Sequence, residues 1–219
     1  MASPDSRRAW QLPAGIDELL PDAAAHLEAL RRTLLDCAAR WGYRLVVPPM
    51  LEYTDSLLVG VGEDLDLLTY KVPDQLSGRM LGLRADMTPQ VARIDAHSLG
   101  GEGVNRLCYA GSTLHTRARS LTASRSPLQL GAELYGDASG AADLEVIDLM
   151  MSMLEASGID RAGLTLDLGH GSLFGPLLDA AGVIEPVRRA QIFDAVRRKS
   201  KPDLAPLLTD LAPEGAALL

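Results

Sequence analysis

The stretch from Leu107 to Gly136, LCYAGSTLHTRARSLTASRSPLQLGAELYG, decides the fold, because it predicts two strands joined by a long polar loop. Its second strand alternates with period two, so that Gln129, Gly131 and Glu133 share one face. The two polar side chains lie about 13 Å apart along such a strand, with a glycine between them. An amide and a carboxylate therefore bracket a space above the sheet that a small ligand with a positive charge would fit.

A plainer interpretation of the same strand stays open. An antiparallel strand with one solvated face and a glycine at a bulge would give this pattern without any ligand. The local pattern by itself favours the plainer interpretation, so a binding site needs support from the rest of the chain.

The composition of the chain of 219 residues narrows the possible functions. A net charge of −8 argues against a general nucleic-acid surface, which needs clustered Lys and Arg. Cys37 and Cys108 form no metal-binding pattern, and the scattered histidines indicate neither a metal site nor a hydrolase triad. The sequence shows no signal peptide and no membrane-spanning segment. We therefore expect a cytoplasmic protein with no cofactor, no metal, no nucleic-acid partner and no membrane partner.

Helices and short strands are predicted on both sides of the central stretch. A helix is expected from Asp22 to about Arg40 with Gly42 ending it, and a helical turn or two from Met50 to Leu58. Further strands are predicted over 43–47, 68–72, 79–83 and 164–168. The residues after 170 are predicted to be mainly helical.

One helix start has the clearest local signal in the chain. Thr88 is a good N-cap, and Pro89 suits the first helical position. Asp86 lies just before this start, where its carboxylate could hold a cation or only cap the free N–H groups. Capping is the commoner of the two explanations.

Five stretches of the chain carry a family resemblance: LPAGIDELLP (12–21), WGYRLVVPPMLEY (41–53), GRMLGLRADMTPQVAR (78–93), RLCYAGSTLHTRARS (106–120) and LQLGAELYG (128–136). The chain resembles the catalytic core of histidyl-tRNA synthetases, and still more the synthetase-like paralogues that are regulatory subunits of ATP phosphoribosyltransferase. The resemblance implies an α+β, class II aminoacyl-tRNA synthetase-like core over 1–170, with a mainly antiparallel, six-stranded sheet flanked by helices. It also implies a self-dimer through 41–53. Residues 171–219 would be a helical segment that starts an insertion, with the chain stopping before motif 3.

The resemblance further implies a histidine-binding pocket on the sheet. Carried over position by position, its residues are Asp86, Thr88, His115, Gln129 and Glu133. The last two are the side chains that strand alternation had already placed on one face.

Three positions depart from the pattern of an active synthetase. His115 stands where an arginine binds the α-phosphate, Arg117 where a glutamate reads adenine, and Pro127 where a phenylalanine stacks on adenine. A neutral imidazole cannot replace a guanidinium fork on phosphate, and proline has no aromatic face. We therefore expect a chain without catalytic residues that binds the amino acid and does not activate it.

The resulting expectation is a non-catalytic regulatory subunit of ATP phosphoribosyltransferase. It would be required for the first step of histidine biosynthesis, would respond to histidine as feedback effector, and would assemble with the catalytic short-form subunit. The alternatives are an active amino-acid-adenylating synthetase fragment and a scaffold with a vestigial pocket. Arg117, Arg119 and Arg125 would contact an anion or the partner, or form only a solvated basic loop.

Overall fold

The computed structural model describes residues 11–118, 120, 123–209 and 211. The chain divides into two compact units, one ending at Gly163 and the other beginning at Leu164. This division lies a few residues before the boundary predicted at residue 170. In the described residues, no helix is long and apolar enough to cross a lipid bilayer.

The first unit contains the following elements in chain order: α1 (Pro21–Arg40), β1 (Arg44–Leu45), β2 (Leu51–Tyr53), α2 (Thr54–Leu57), α3 (Glu63–Leu68), β3 (Tyr70–Pro73), β4 (Met80–Leu83), α4 (Thr88–Arg93), a π-helical turn (Ile94–Ser98), β5 (Asn105–Ser112), β6 (Leu128–Tyr135), α5 (Gly140–Ala156) and a 3-10 turn (Arg161–Gly163). This mixture of helices and mainly antiparallel strands confirms the predicted α+β class. Gly42 follows α1 with φ of +84°, the left-handed conformation that commonly ends a helix.

The described strands form two sheets of three strands each, in the orders β1-β5-β6 and β2-β4-β3. All pairs are antiparallel except β1 with β5, where Arg44 lies opposite Leu107. This arrangement differs from the single six-stranded antiparallel sheet that the resemblance implied. Pro48 and Pro49 offer a physical reason, because neither has the N–H needed to extend β1 along its ladder. The chain joins the second sheet at Leu51.

The two faces of the β5–β6 hairpin pack against different clusters, and the polar face of β6 is half-buried where the plainer interpretation expected solvent. On one face Cys108 packs with Leu35 of α1 and Leu149 of α5, and apolar side chains of β6 lie against this cluster. On the other face Tyr109 packs with Met87 beside α4. The hairpin thereby places the polar side chains of β6 next to the start of α4.

Three local predictions need correction. The segment predicted as helical from residue 50 begins with β2, because Leu51–Tyr53 pairs with β4, a long-range contact that local pattern does not reveal. Met87, and not Thr88, is the N-cap of α4, so the helix starts one residue before the predicted position. No strand forms at 164–168, where Leu168 is 74% exposed and pairs with no strand in the described chain.

The second unit is a small helical cluster of α6 (Gly171–Ala180), α7 (Pro186–Arg197) and α8 (Lys201–Leu208). Its core contains Leu178, Val183 and Ile192. Phe174 and Phe193 meet edge to face, with ring centroids 5.2 Å apart. The residues after 170 were predicted to be mainly helical, and these three helices lie in the described part of that segment.

Candidate functional site

The structure brings Asp86 and Gln129 into direct contact, although 43 positions separate them in the chain. Gln129 on β6 donates from Nε2 to Asp86 Oδ1 at 2.8 Å, and its Oε1 accepts the Met87 N–H at 2.9 Å. Both ends of the amide are therefore fixed, and the peptide before α4 is bonded to the sheet.

Asp86 also acts on the start of α4. Its Oδ1 accepts the backbone N–H of Thr88 at 2.9 Å, so the capping interpretation is confirmed. The same oxygen accepts a hydrogen bond from the Gln129 amide, whereas Oδ2 accepts none from the described residues. A cation at this carboxylate stays a prediction.

Tyr109 on β5 links Thr88 to Glu133, and the sequence reasoning missed it. Its hydroxyl donates to Glu133 Oε1 at 3.1 Å and lies 3.0 Å from Thr88 Oγ1. Since a phenol has one hydrogen and an ionised carboxylate only accepts, Thr88 donates to Tyr109. The free lone pairs of Thr88 and the remaining carboxylate oxygen of Glu133 are therefore hydrogen-bond acceptors.

The space predicted above Gly131 is filled, and that part of the sequence interpretation is wrong. Tyr109 lies directly opposite Gly131 in the β5–β6 register. A Cβ at position 131 would collide with the Tyr109 phenol. The tyrosine was recognisable only by pairing the two strands in register, because an aromatic ring then covers a glycine across the sheet.

The electrostatics of this cluster are dominated by its carboxylates. Burial raises the pKa of Glu133 and the charge of Asp86 raises it further, whereas the nearby Thr88 hydroxyl and the hydrogen bond from Tyr109 oppose both effects. Burial also raises the pKa of Tyr109 to about 12. Neither Asp86 nor Glu133 has an ion-pair partner among the described side chains, so a cationic ligand would relieve the repulsion between them.

His115 lines a small cavity of about 200 Å³. Asp86, Gln129 and Pro127 also line this cavity, but Glu133 does not. His115 is 5% exposed, and its Nε2 lies 2.9 Å from the Ala85 carbonyl. A carbonyl only accepts, so Nε2 carries a hydrogen, while the buried Nδ1 has no partner in the described chain.

The two described arginines of the hairpin loop, Arg117 and Arg125, have different surroundings. Arg117 is exposed and lines an open cleft of about 530 Å³ with Asp64. Arg125 is half-buried, and its guanidinium donates to the carbonyls of Ala14 at 3.0 Å and His115 at 3.1 Å. Arg119 lies outside the described residues. Arg125 thus bonds the loop to the segment before α1, and of the two described loop arginines Arg117 is the exposed one.

A metal centre has no support in the part of the chain that the structure describes. Three or more His, Cys, Asp or Glu side chains do not come together there in a way that could hold a metal ion.

The helix-flanked sheets and the acceptor cluster at the start of α4 place this domain in the class II aminoacyl-tRNA synthetase-like fold. Solved structures agree: the chain superimposes on apo histidyl-tRNA synthetase of S. aureus with a TM-score of 0.55 and 21% identity, covering 67% of this chain and 39% of that one. The family model described as histidyl-tRNA synthetase matches residues 15–219. The chain therefore belongs to the histidyl-tRNA synthetase family, and the predicted family is confirmed.

More similar relatives carry a different name within this family. The chain is 54% identical to the ATP phosphoribosyltransferase regulatory subunit of Pseudomonas aeruginosa over 96% of its own length and 52% of the relative. It is 55% identical to the ATP phosphoribosyltransferase regulatory subunit of Ectopseudomonas mendocina, over 94% of its own length and 51% of the relative. A crystal structure from Bacillus halodurans, described as an ATP phosphoribosyltransferase regulatory subunit/histidyl-tRNA synthetase, has a TM-score of 0.83 at 27% identity and covers 99% of this chain and 55% of that one. The chain spans about half the length of the curated relatives it matches.

Proposed function

We propose that this chain acts in a regulatory, non-adenylating subunit of ATP phosphoribosyltransferase and binds histidine as the effector. The observation that carries the proposal is the joining of Asp86, Thr88, Gln129 and Glu133 in one network at the start of α4. The similarity to named regulatory subunits supports the same function.

The polarity of the network suits an amino acid with several N–H donors. The carboxylates of Asp86 and Glu133 and the lone pairs of Thr88 accept hydrogen bonds, and the α-ammonium and the imidazole N–H of histidine supply them. Pockets for drug-sized ligands enclose about 300–1,000 Å³. The cavity of about 200 Å³ beside Asp86 and Gln129 is smaller than this range, so it suits part or all of a single amino acid better than a nucleotide.

The orientation of His115 supports the non-adenylating part of the proposal. Its Nε2 hydrogen is directed to the Ala85 carbonyl, and in a neutral ring the other nitrogen is an acceptor. A buried acceptor repels a phosphate oxygen, whereas a guanidinium would donate to it. Histidine-dependent exchange of pyrophosphate into ATP should therefore be absent, and clear exchange would favour the synthetase alternative.

Glu133→Gln tests the histidine site, because it removes one charge and leaves the shape of the side chain. Hydrogen bonds to charged groups contribute about 1.5–3 kcal/mol, so calorimetry should show histidine affinity reduced by about tenfold or more. Glu155→Gln is the matched control, since Glu155 forms an exposed surface pair with Arg161. Wild-type affinity in Glu133→Gln would refute the proposed site.

The partners are also part of the proposal. A catalytic short-form subunit is the partner that the function requires, and the exposed Arg117 is available for an acidic surface on it. Self-association through 41–53 is supported by apolar side chains exposed in this segment: Leu45 at 50%, Val47 at 80%, Met50 at 41% and Leu51 at 43%. Val47→Asp should shift the sedimentation of the protein from dimer to monomer, and an unchanged dimer would exclude this interface.

A further inference from the structure

The loop between β1 and β2 is bonded to the segment that carries the candidate histidine site. Arg84 donates from Nη1 to the Pro48 carbonyl at 2.7 Å, and Gln90 donates from Nε2 to the Pro49 carbonyl at 2.8 Å. Arg84 precedes Asp86 and Gln90 follows it, so the loop is held from both sides of the site. Arg84 is 6% exposed and Gln90 is 1% exposed, which makes both contacts interior ones.

Glu52 on β2 makes the most specific of these links. Arg93, the last residue of α4, donates to both oxygens of the Glu52 carboxylate, with Nε to Oε2 at 3.0 Å. The Gln90 amide adds a third bond to Oε1 at 2.9 Å. The Glu52 side chain is only 9% exposed. Because a bidentate pair of this kind fixes both distance and direction, a displacement of α4 displaces Glu52 as well.

Gln90 is held in an arrangement that leaves one of its atoms unsatisfied. Its NH₂ group donates to both Pro49 and Glu52, while its buried Oε1 has no partner among the described residues. A buried acceptor without a partner is unfavourable, so this end of the Gln90 side chain does not stabilise the observed position of α4. A ligand that draws Asp86 and Thr88 toward itself acts on the first turn of this same short helix.

We infer that the cluster of Glu52, Gln90 and Arg93 couples occupancy of the histidine site to the conformation of segment 48–53. The inference rests on the proposed function and extends it to the regulation of that site. The cluster lies outside the site itself and joins α4 to a segment whose apolar side chains face solvent, so histidine binding changes the surface at 48–53. By linkage, a partner that fixes this segment changes histidine affinity by the same factor.

Arg93→Gln tests the coupling in the full-length protein assembled with its catalytic subunit. Without the catalytic subunit, the full-length variant should bind histidine within about twofold of the wild-type affinity, because Arg93 does not touch the site. The histidine concentration needed to inhibit the complex should rise by about tenfold or more in the variant, which is the usual size of a coupling between two sites. In the wild type, histidine should also slow hydrogen exchange at the amides of Met50–Tyr53, and in Arg93→Gln it should not.

Arg106→Gln is the matched control. It breaks another bidentate pair, with Glu145, in which the arginine side chain is 33% exposed against 31% for Arg93. Inhibition and exchange should respond to histidine in Arg106→Gln as in the wild type. The inference is wrong if Arg93→Gln keeps both responses, or if the two variants lose them equally, since loss of stability would then be the cause. Absence of histidine binding in the wild-type complex would instead refute the proposed function.

Discussion

The substitution Tyr109→Phe removes one oxygen atom and tests the hydrogen-bond network that joins Thr88 to Glu133. Tyr109 is 3% exposed, and its ring keeps its packing against Met87 in the variant. Only the hydroxyl is lost, together with its bonds to Thr88 and Glu133. The variant therefore isolates the contribution of the hydrogen-bond network from that of the core.

The size of the stability loss in Tyr109→Phe follows from the negative charge of the acceptor, Glu133. A hydrogen bond to a charged group contributes about 1.5–3 kcal/mol, and Thr88 loses an acceptor at the same time. Thr88 is close enough to Glu133 to donate to it directly, and this replaces part of the loss. We expect the free energy of unfolding at pH 8 to fall by about 2 kcal/mol, which corresponds to about 4–8 °C in Tm for a domain of this size.

The stability lost in Tyr109→Phe should become smaller at lower pH. The pKa of Tyr109 is about 12, so its hydroxyl is a donor throughout the range from about pH 5 to 9. The pKa of Glu133 is raised by burial, and the lost hydrogen bond had been lowering it, so the variant takes up a proton at higher pH than the wild type. Below that pKa the neutral carboxyl needs no donor. The stability difference between variant and wild type should therefore shrink as the pH falls from 8 to 5.

Tyr43→Phe provides the control for thermal and urea unfolding across this pH range. Tyr43 is equally buried and donates to Glu145 Oε1, also at 3.1 Å. Glu145 keeps two bonds from Arg106, whose hydrogen bond lowers the pKa of this carboxyl. The cost in Tyr43→Phe should be about 1 kcal/mol and independent of pH between about 5 and 8. Equal, pH-independent losses in the two variants would refute the assigned role of Glu133.

Two further predictions concern packing and the N-terminal segment of the described chain. Gly131→Ala should destabilise the protein by about 1–3 kcal/mol, because the new methyl group overlaps the Tyr109 phenol; Gly140→Ala, which meets no atom, should be neutral in the same unfolding assay. Arg125→Ala should speed proteolytic cleavage near Ala14, since two carbonyl contacts of the loop are lost, while Arg117→Ala should not; equal cleavage rates would contradict the role of Arg125.

Much of the fold was accessible from the sequence because local signals were strong. The helical spacing and Gly42 predicted α1 almost to the residue, and period-two alternation predicted β6 with its two faces. The resemblance supplied the family and the residues of the candidate site. The helical prediction for segment 50–58 is correct only at α2, because β2 exists through pairing with β4, and pairing between distant segments leaves little trace in local pattern.

In the candidate site, too, local pattern predicted some features and the pairing of distant segments decided others. Gln129 and Glu133 could be placed on one face from alternation alone, and Asp86 could be placed before a helix. Tyr109 was invisible, because its role depends on the register that sets it opposite Gly131. The different surroundings of Arg117 and Arg125 were also unpredictable, since Arg125 donates to the carbonyl of Ala14, far away in the chain.

By itself, the sequence determined which side chains share a strand face and where helices end, because a period of 2 or 3.6 and the φ of glycine are local properties of the backbone. Only the tertiary structure decided that the space over Gly131 is occupied and that Glu133 is bonded to Tyr109. It alone decided that α4 is bonded to Glu52. These contacts depend on the register and packing of segments distant in the chain, and many registers are compatible with one alternating pattern until the strands are paired.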